Sequence, residues 1–296
     1  MSNHTVVVFP ASGGIGGSTV KHLLPRISPQ DLVFIARHPE KLEFVSTAGV
    51  TVCGADYDND SDLERAFDGV HTLILISYAS VEHEHRAKRQ QFAINAALRS
   101  GVKYIFYGSL GYGGNPASNQ SMAHECVSRN SGFDYTVIRE GLYSESYPLY
   151  TSSFDNPVGE ILIPHNGLGP GIAWVKREEL GEGTAELLSR FIKDPSSFGY
   201  RRKIVLLSGS KTLSLKGTVE ILSKLAQRPV HILPVSVEEF AAQPQNFANF
   251  TYRGVDHSTA WTSTFEAFRR GEGAYVSPLL GELIKHTLLL FMYFIV

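Results

Sequence analysis

Short runs of β-branched and aromatic residues, bounded by Gly, Pro, Asp or Ser, alternate with amphipathic segments through the first half of the chain. The apolar runs predict strands at Val6–Phe9, Leu32–Ala36, Thr51–Cys53, Thr72–Ser77, Tyr104–Tyr107 and Asp134–Ile138. Between them, apolar residues spaced three and four apart predict helices over Gly16–Leu24, Pro39–Ala48, Asp60–Phe67, Glu82–Ser100 and Ser121–Ser131. Strands without an alternating polar face are buried on both sides. Separated by helices, they make an α/β fold with a parallel, doubly wound sheet.

Beyond residue 148 the rhythm changes. Gly, Pro and aromatic residues become frequent, as in EILIPHNGLGPGIAWV, and predicted helices at Arg177–Phe191 and Lys216–Ala226 are separated by isolated strands at Lys203–Leu207 and Val230–Leu233. In a doubly wound sheet, ligands bind beyond the carboxyl ends of the strands. Residues 149–296 are therefore expected to form a smaller, less regular region on the substrate side, with 174–191 and 203–207 returning to the main sheet.

Composition narrows the partner. The chain has 296 residues, 43% hydrophobic and 19% charged, with a net charge of -2, enough apolar material for one large domain with an appendage. A near-neutral surface gives a nucleic acid or an anionic membrane no electrostatic purchase, so a small-molecule substrate is expected. The cysteines are Cys53 and Cys126, and no charged region precedes an apolar core at the N-terminus. A reduced, cytoplasmic setting follows as the expectation. The apolar run HTLLLFMYFIV at residues 286–296 falls short of the roughly 20 residues that span a bilayer, and suits an element packed on the body or an irregular end.

The stretch VVVFPASGGIGGSTVKHLL carries the first chemistry. A buried strand runs into a glycine-rich turn and a helix, the arrangement in which a helix N-terminus holds a pyrophosphate. Pro10 stands where a glycine is expected and excludes positive φ there. Gly13 and Gly14 let the backbone approach a phosphate, Gly16 and Gly17 let helix and strand pack closely, and Ser12 offers a hydroxyl at the helix start. At the end of the second strand, FIARHPEKL puts Arg37 where an acidic residue would select NAD; a basic one accommodates the 2′-phosphate of NADP. Lys41 lies one helical turn on, where it can join Arg37, although both also suit a solvated helix start.

VVVFPASGGIGG, FIARHPEKL, CGADYDNDSDLERAFDGVHTLILIS, AINAALRSGVKYIFYGSLG and HECVSRNSGFDYTVIREGLYSESY together resemble the NmrA-like branch of atypical short-chain dehydrogenases/reductases, in particular its NAD(P)H:quinone oxidoreductase-type members. The resemblance implies a Rossmann-like domain over residues 1–148 and NADP(H) as cofactor. It implies that Ser12, Gly13, Gly14, Ile15 and Gly16 hold the pyrophosphate, and that Arg37 and Lys41 hold the 2′-phosphate. Asp56 and Tyr57 would lie beside the adenine, with Ser77 and Tyr78 lining the path to the nicotinamide. Asp56, in DYDNDSD, also reads as a turn or N-cap residue.

The proton donor is less plain. Many short-chain reductases use a tyrosine with a lysine four residues later, and no such pair stands near the expected helix, where Tyr112, Ser121 and His124 occur. His124 directly precedes Glu125, and neighbours on a helix project about 100° apart. It is a candidate proton donor and equally a structural histidine. IREGLYSESYPLY follows the strand at 134–138 and offers Glu140, Tyr143, Glu145 and Tyr147, acids and phenols suited to a flat aromatic or conjugated substrate. A carboxyl held there in apolar surroundings becomes a general acid; the tyrosines also suit plain packing. The His83-x-His85 pair lacks the further ligands of a closed metal site, and no G-x-S-x-G elbow is present. Three readings remain: an NADPH-dependent reductase of a quinone, enone or similar conjugated carbonyl, possible in specialised metabolism; a non-redox cyclase or isomerase on the same fold; and an NADP-sensing regulatory protein.

Overall fold

The six apolar runs form six of the seven strands of one parallel sheet in the computed structural model, which describes residues 6–80, 82–111, 133–152 and 159–289. In chain order, β1 (Val6–Phe9), α1 (Gly14–Leu23), β2 (Leu32–Ala36), α2 (Glu43–Ser46), β3 (Thr51–Gly54), α3 (Asp60–Ala66), β4 (Thr72–Ile76), α4 (His83–Arg99), β5 (Tyr104–Leu110) and β6 (Asp134–Glu140) build most of it. Next come β7 (Glu160–Ile163), α5 (Arg177–Lys193) and β8 (Lys203–Leu207). The sheet runs β3-β2-β1-β4-β5-β6-β8, every neighbouring pair parallel. Strand order reverses between β1 and β4, which opens the crevice where such sheets take their ligands.

Both faces are buried. Val6, Val8, Ile74, Phe106 and Ile138 lie in one cluster with α1 and α5, and Val7, Leu73, Leu75, Ile105 and Val137 lie in a second with α3 and α4. Each such side chain contributes about 1.5–3 kcal/mol on burial, so the continuous runs have no solvent face to spare. Helices α1 and α5 approach closely because residue 181 is glycine: a Cβ there would sit 2.1 Å from the Ser18 Oγ. Strand β8 and helix α5 thus return to the main sheet from beyond residue 148.

The remaining chain forms a cap. It contains α6 (Leu215–Leu225), β9 (His231–Pro234), α7 (Val237–Ala241), α8 (Pro244–Phe250), β10 (Thr251–Tyr252), β11 (Val255–Asp256), α9 (Ser258–Trp261) and α10 (Ser263–Arg269), while the last helix, α11 (Leu279–Ile284), packs back on α5 and β8 with Leu280, Leu283 and Ile284 in the sheet-side core. β7 pairs in parallel with β9, and β10 with β11 as a hairpin. Its core gathers Tyr150, Trp174, Phe240, Phe250, Phe265 and Phe268.

The expected helix over Pro39–Ala48 is instead a 3-10 turn at Pro39–Leu42 followed by the single turn α2. Leu42 and Val45 are buried there, and Gly49 at φ 85° redirects the chain into β3. The expected helix Ser121–Ser131 and the candidates Tyr112, Ser121 and His124 lie outside the described residues, as do positions 290–296 of the apolar run. Among the described residues, no helix is long and apolar enough to cross a membrane.

Candidate active site

The crevice starts at the turn after β1. The Ala11 amide donates to the Ile35 carbonyl at 2.7 Å, tying the turn to the end of β2. Gly13 at φ 71° and Gly14 at φ 47° adopt conformations that L side chains rarely take, and nothing lies within 4 Å of where their Cβ atoms would be. Both are exposed, while Ile15 turns into the core. Gly16 is needed for packing, since a Cβ there would lie 2.1 Å from the Pro10 carbonyl oxygen. Pro10 follows a cis peptide bond and leaves the later amides untouched. The first amides of α1 have no partner within the helix and carry its positive dipole end. Open space above exposed glycines beside those amides fits a dinucleotide pyrophosphate, with half-exposed Ser12 at the rim.

At the end of β2, the Arg37 side chain is 63% exposed and its Nε lies 3.9 Å from Oδ2 of Asp56. Lys41 is exposed in the 3-10 turn. Both cations therefore border the β2–β3 end of the crevice. Asp56 performs turn chemistry: its Oδ1 accepts from the Asp58 amide at 3.1 Å. Tyr57 is buried, donates to the Ile76 carbonyl at 2.5 Å and packs its ring 4.5 Å from that of Phe9. Burial holds its hydroxyl well above the ordinary tyrosine range.

Ser77 follows β4, its amide donating to the Gly108 carbonyl at 3.0 Å. Tyr78 is buried. Its hydroxyl donates to Asp58 Oδ2 at 2.9 Å and meets the Tyr252 hydroxyl at 2.7 Å, so it joins the β10–β11 hairpin to the sheet. Burial and these two partners raise its pKa. His85 lies 3.2 Å from Asp58 in the same cluster and contacts Arg253.

The end of β6 holds a strongly perturbed acid. Glu140 is buried, and Tyr143 donates its hydroxyl to Glu140 Oε2 at 3.1 Å. Burial pushes the Glu140 carboxyl up to about 8, with the Tyr143 hydrogen bond acting weakly against it. Burial and the neighbouring carboxyl hold Tyr143 well above its usual range. The pair is brought together by backbone: Ser144 donates to Val175 and Val175 to Leu142, at 2.8 and 3.1 Å.

Arg177, the first residue of α5, places its guanidinium 5.1 Å from the centre of the Tyr143 ring. Both Glu145 oxygens accept from the Arg177 amide at 3.2 Å, so Glu145 caps α5. The sequence signals a helix start at KREEL; nothing local signals that it faces Tyr143, 34 positions earlier.

The fold and the glycine turn define a dinucleotide-binding α/β protein. Residues 11–151 match the family described as NAD(P)H-binding. The chain is 29% identical over 287 residues to an NmrA-like family domain-containing oxidoreductase of Aspergillus flavus, covering 94% of this chain and 89% of that protein. It is 30% identical over 240 residues to quinone oxidoreductase 2 of Escherichia coli, covering 80% of each. The structure of NADPH-dependent quinone oxidoreductase from Escherichia coli complexed with NADPH superposes with a TM-score of 0.78 at 26% identity, covering 98% of both chains. Citrobacter sp. triphenylmethane reductase complexed with NADP(H) shares the fold, with a TM-score of 0.79 at 24% identity over 97% of this chain and 98% of that one. The chain belongs to the NmrA-like family of NAD(P)H-dependent oxidoreductases, and its cofactor is a nicotinamide dinucleotide, NAD(P)H, as expected.

Proposed function

We propose that this protein is an NADPH-dependent reductase of a quinone or a similar conjugated carbonyl, acting in a reduced cytosolic setting. The observation that carries the reading is the buried Glu140–Tyr143 pair beyond β6, on the same sheet edge as the glycine turn. NADPH, when bound, supplies a hydride from its nicotinamide. Ser12 to Gly16 bind its pyrophosphate through α1 amides, and Arg37 with Lys41 takes the 2′-phosphate. The Asp56 carboxylate near Arg37 keeps that guanidinium over the β2–β3 end.

Reduction of a carbonyl requires one proton for each hydride. Tyr143 donates it from its hydroxyl to the developing oxyanion, and neutral Glu140 returns a proton to the phenol oxygen from 3.1 Å. Arg177 over the ring favours the electron-rich phenolate that forms transiently. The half-buried Tyr147 and Trp261, packed against the cap core, supply faces for a flat aromatic acceptor. The chemistry of the acceptor, together with the family's presence in a fungal NmrA-like oxidoreductase, suits a role in specialised metabolism.

The test is NADPH oxidation with a panel of quinones and enones. Tyr143→Phe is expected to lower kcat by about 100-fold or more with little change in melting temperature. An unchanged kcat would make Tyr143 a packing residue and remove the proton route.

A further inference from the structure

Beside the Glu140–Tyr143 pair, at the carboxyl ends of β6 and β8, a second small cleft opens. Glu272, Tyr275 and Ser208 line it, with backbone walls at Gly111, Gly141 and Gly273. It lies beyond the strand ends, where ligands collect in this fold, and Gly141 directly follows Glu140. Its enclosed space is about 10 Å³, room for one hydroxyl-sized group.

Glu272 is the unusual member. It is 8% exposed, and Arg270 occupies only its Oε1, at 2.8 Å from Nε and 2.7 Å from Nη2. Its Oε2 is buried without a hydrogen-bond partner, a condition that costs about 1–3 kcal/mol or more for a charged group. Arg139, half-buried with its Nε donating to the Leu110 carbonyl at 3.3 Å, also feels the Glu272 charge. With two guanidiniums compensating the carboxylate, the bare oxygen calls for a neutral donor and not for a cation. The Ser208 hydroxyl of the cleft is engaged: Ser208 Oγ accepts from the Ser277 amide at 2.9 Å and donates to the Gly209 carbonyl at 3.2 Å. One acceptor therefore stands open.

We propose that Glu272 Oε2 is a specificity-determining acceptor that takes a neutral hydroxyl or amide N–H of the ligand reduced at the neighbouring site. The proposal rests on the reductase reading and sharpens it: the preferred acceptor is a hydroxylated conjugated carbonyl over its O-methylated or unsubstituted counterpart. A site that hydrogen-bonds a ligand hydroxyl rejects the analogue lacking it, because the buried partner is then left bare.

Calorimetry on the NADP-loaded protein with 1,4-naphthoquinone, its 2-, 5- and 6-hydroxymethyl derivatives and their O-methyl ethers, at neutral pH where each hydroxyl is uncharged and free, tests it. At least one hydroxymethyl ligand is expected to bind about tenfold more tightly than its O-methyl ether and the unsubstituted quinone, and Glu272→Gln is expected to erase that preference. If Glu272→Gln does not fold, Glu272→Asp keeps the charge beside Arg270 while withdrawing Oε2, and is expected to do the same. Equal affinities across the series in the unmodified protein would overturn the proposal, as would a preference that survives in a folded variant. Absent turnover with every quinone alongside an intact, Glu272-dependent hydroxyl preference would overturn the reductase reading and leave the subsite standing.

Discussion

The sheet and the cap bury their apolar residues in different ways. In the sheet, aliphatic residues adjacent in sequence point to opposite faces, so Val6 and Val8 enter one cluster while Val7 and Phe9 enter the other. In the cap, the buried rings come from distant positions: Tyr150 meets Trp174 at 5.6 Å and Phe268 at 5.4 Å, and Phe250 stacks on Trp261 at 4.6 Å. The sheet gives rigid strand ends of fixed spacing, which suits a cofactor of constant shape. The cap gives ring surfaces and clefts on short elements, which suits a substrate that differs between relatives.

This contrast can be broken most forcefully in the cap. Phe265→Ala removes a fully buried ring and is expected to cost about 3–5 kcal/mol in denaturant unfolding, while NADPH affinity in the surviving folded fraction stays unchanged. Loss of NADPH binding in that fraction would mean that cap and cofactor site are one unit. The converse holds at the glycine turn. Gly16→Ala is expected to cost about 1–3 kcal/mol through its clash with Pro10 and to weaken NADPH severely, as the α1 amides shift.

Smaller effects sharpen the cofactor end. Arg37→Ala is expected to weaken NADPH about tenfold and NADH little, because the contact is charge-assisted yet exposed; fluorescence titration of both cofactors checks it, and equal weakening would remove Arg37 from the 2′-phosphate site. A pH-dependent effect falls on stability. Glu140 has a folded pKa raised to about 8, so its tolerance of burial is fully present below the unfolded carboxyl value and is lost as pH rises through 8. Glu140→Gln should therefore melt close to the unmodified protein at about pH 4, above it at pH 6 and furthest above it at pH 9. A constant difference would place the ionisation elsewhere.

The same contrast decides what was legible in the sequence. β1, β2, β4 and the start of β6 could be read because β-branched runs buried on both faces need no partner information. β7, β10 and β11 are two to four residues long and exist only through pairing with distant segments. Within the site, Gly13, Gly14 and Gly16 were readable from backbone requirements, and Glu140 and Tyr143 from their place after a buried strand. The direction of Tyr78 was not: its hydroxyl is claimed by Tyr252, 174 positions away. Arg177 and Glu272 were likewise hidden, since each acquires its role from a neighbour far along the chain. The turn role of Asp56 was readable, and its hydrogen bond from the Asp58 amide is present.

The central claim is that a neutral carboxylic acid, Glu140, replenishes the proton that Tyr143 delivers. The most direct test is the pH dependence of single-turnover NADPH oxidation by a quinone, for the unmodified protein and for Glu140→Gln. The account predicts a rate that falls above a pH of about 8 in the unmodified protein, and a lower rate without that limb in the variant. The same falling limb in both proteins would contradict it.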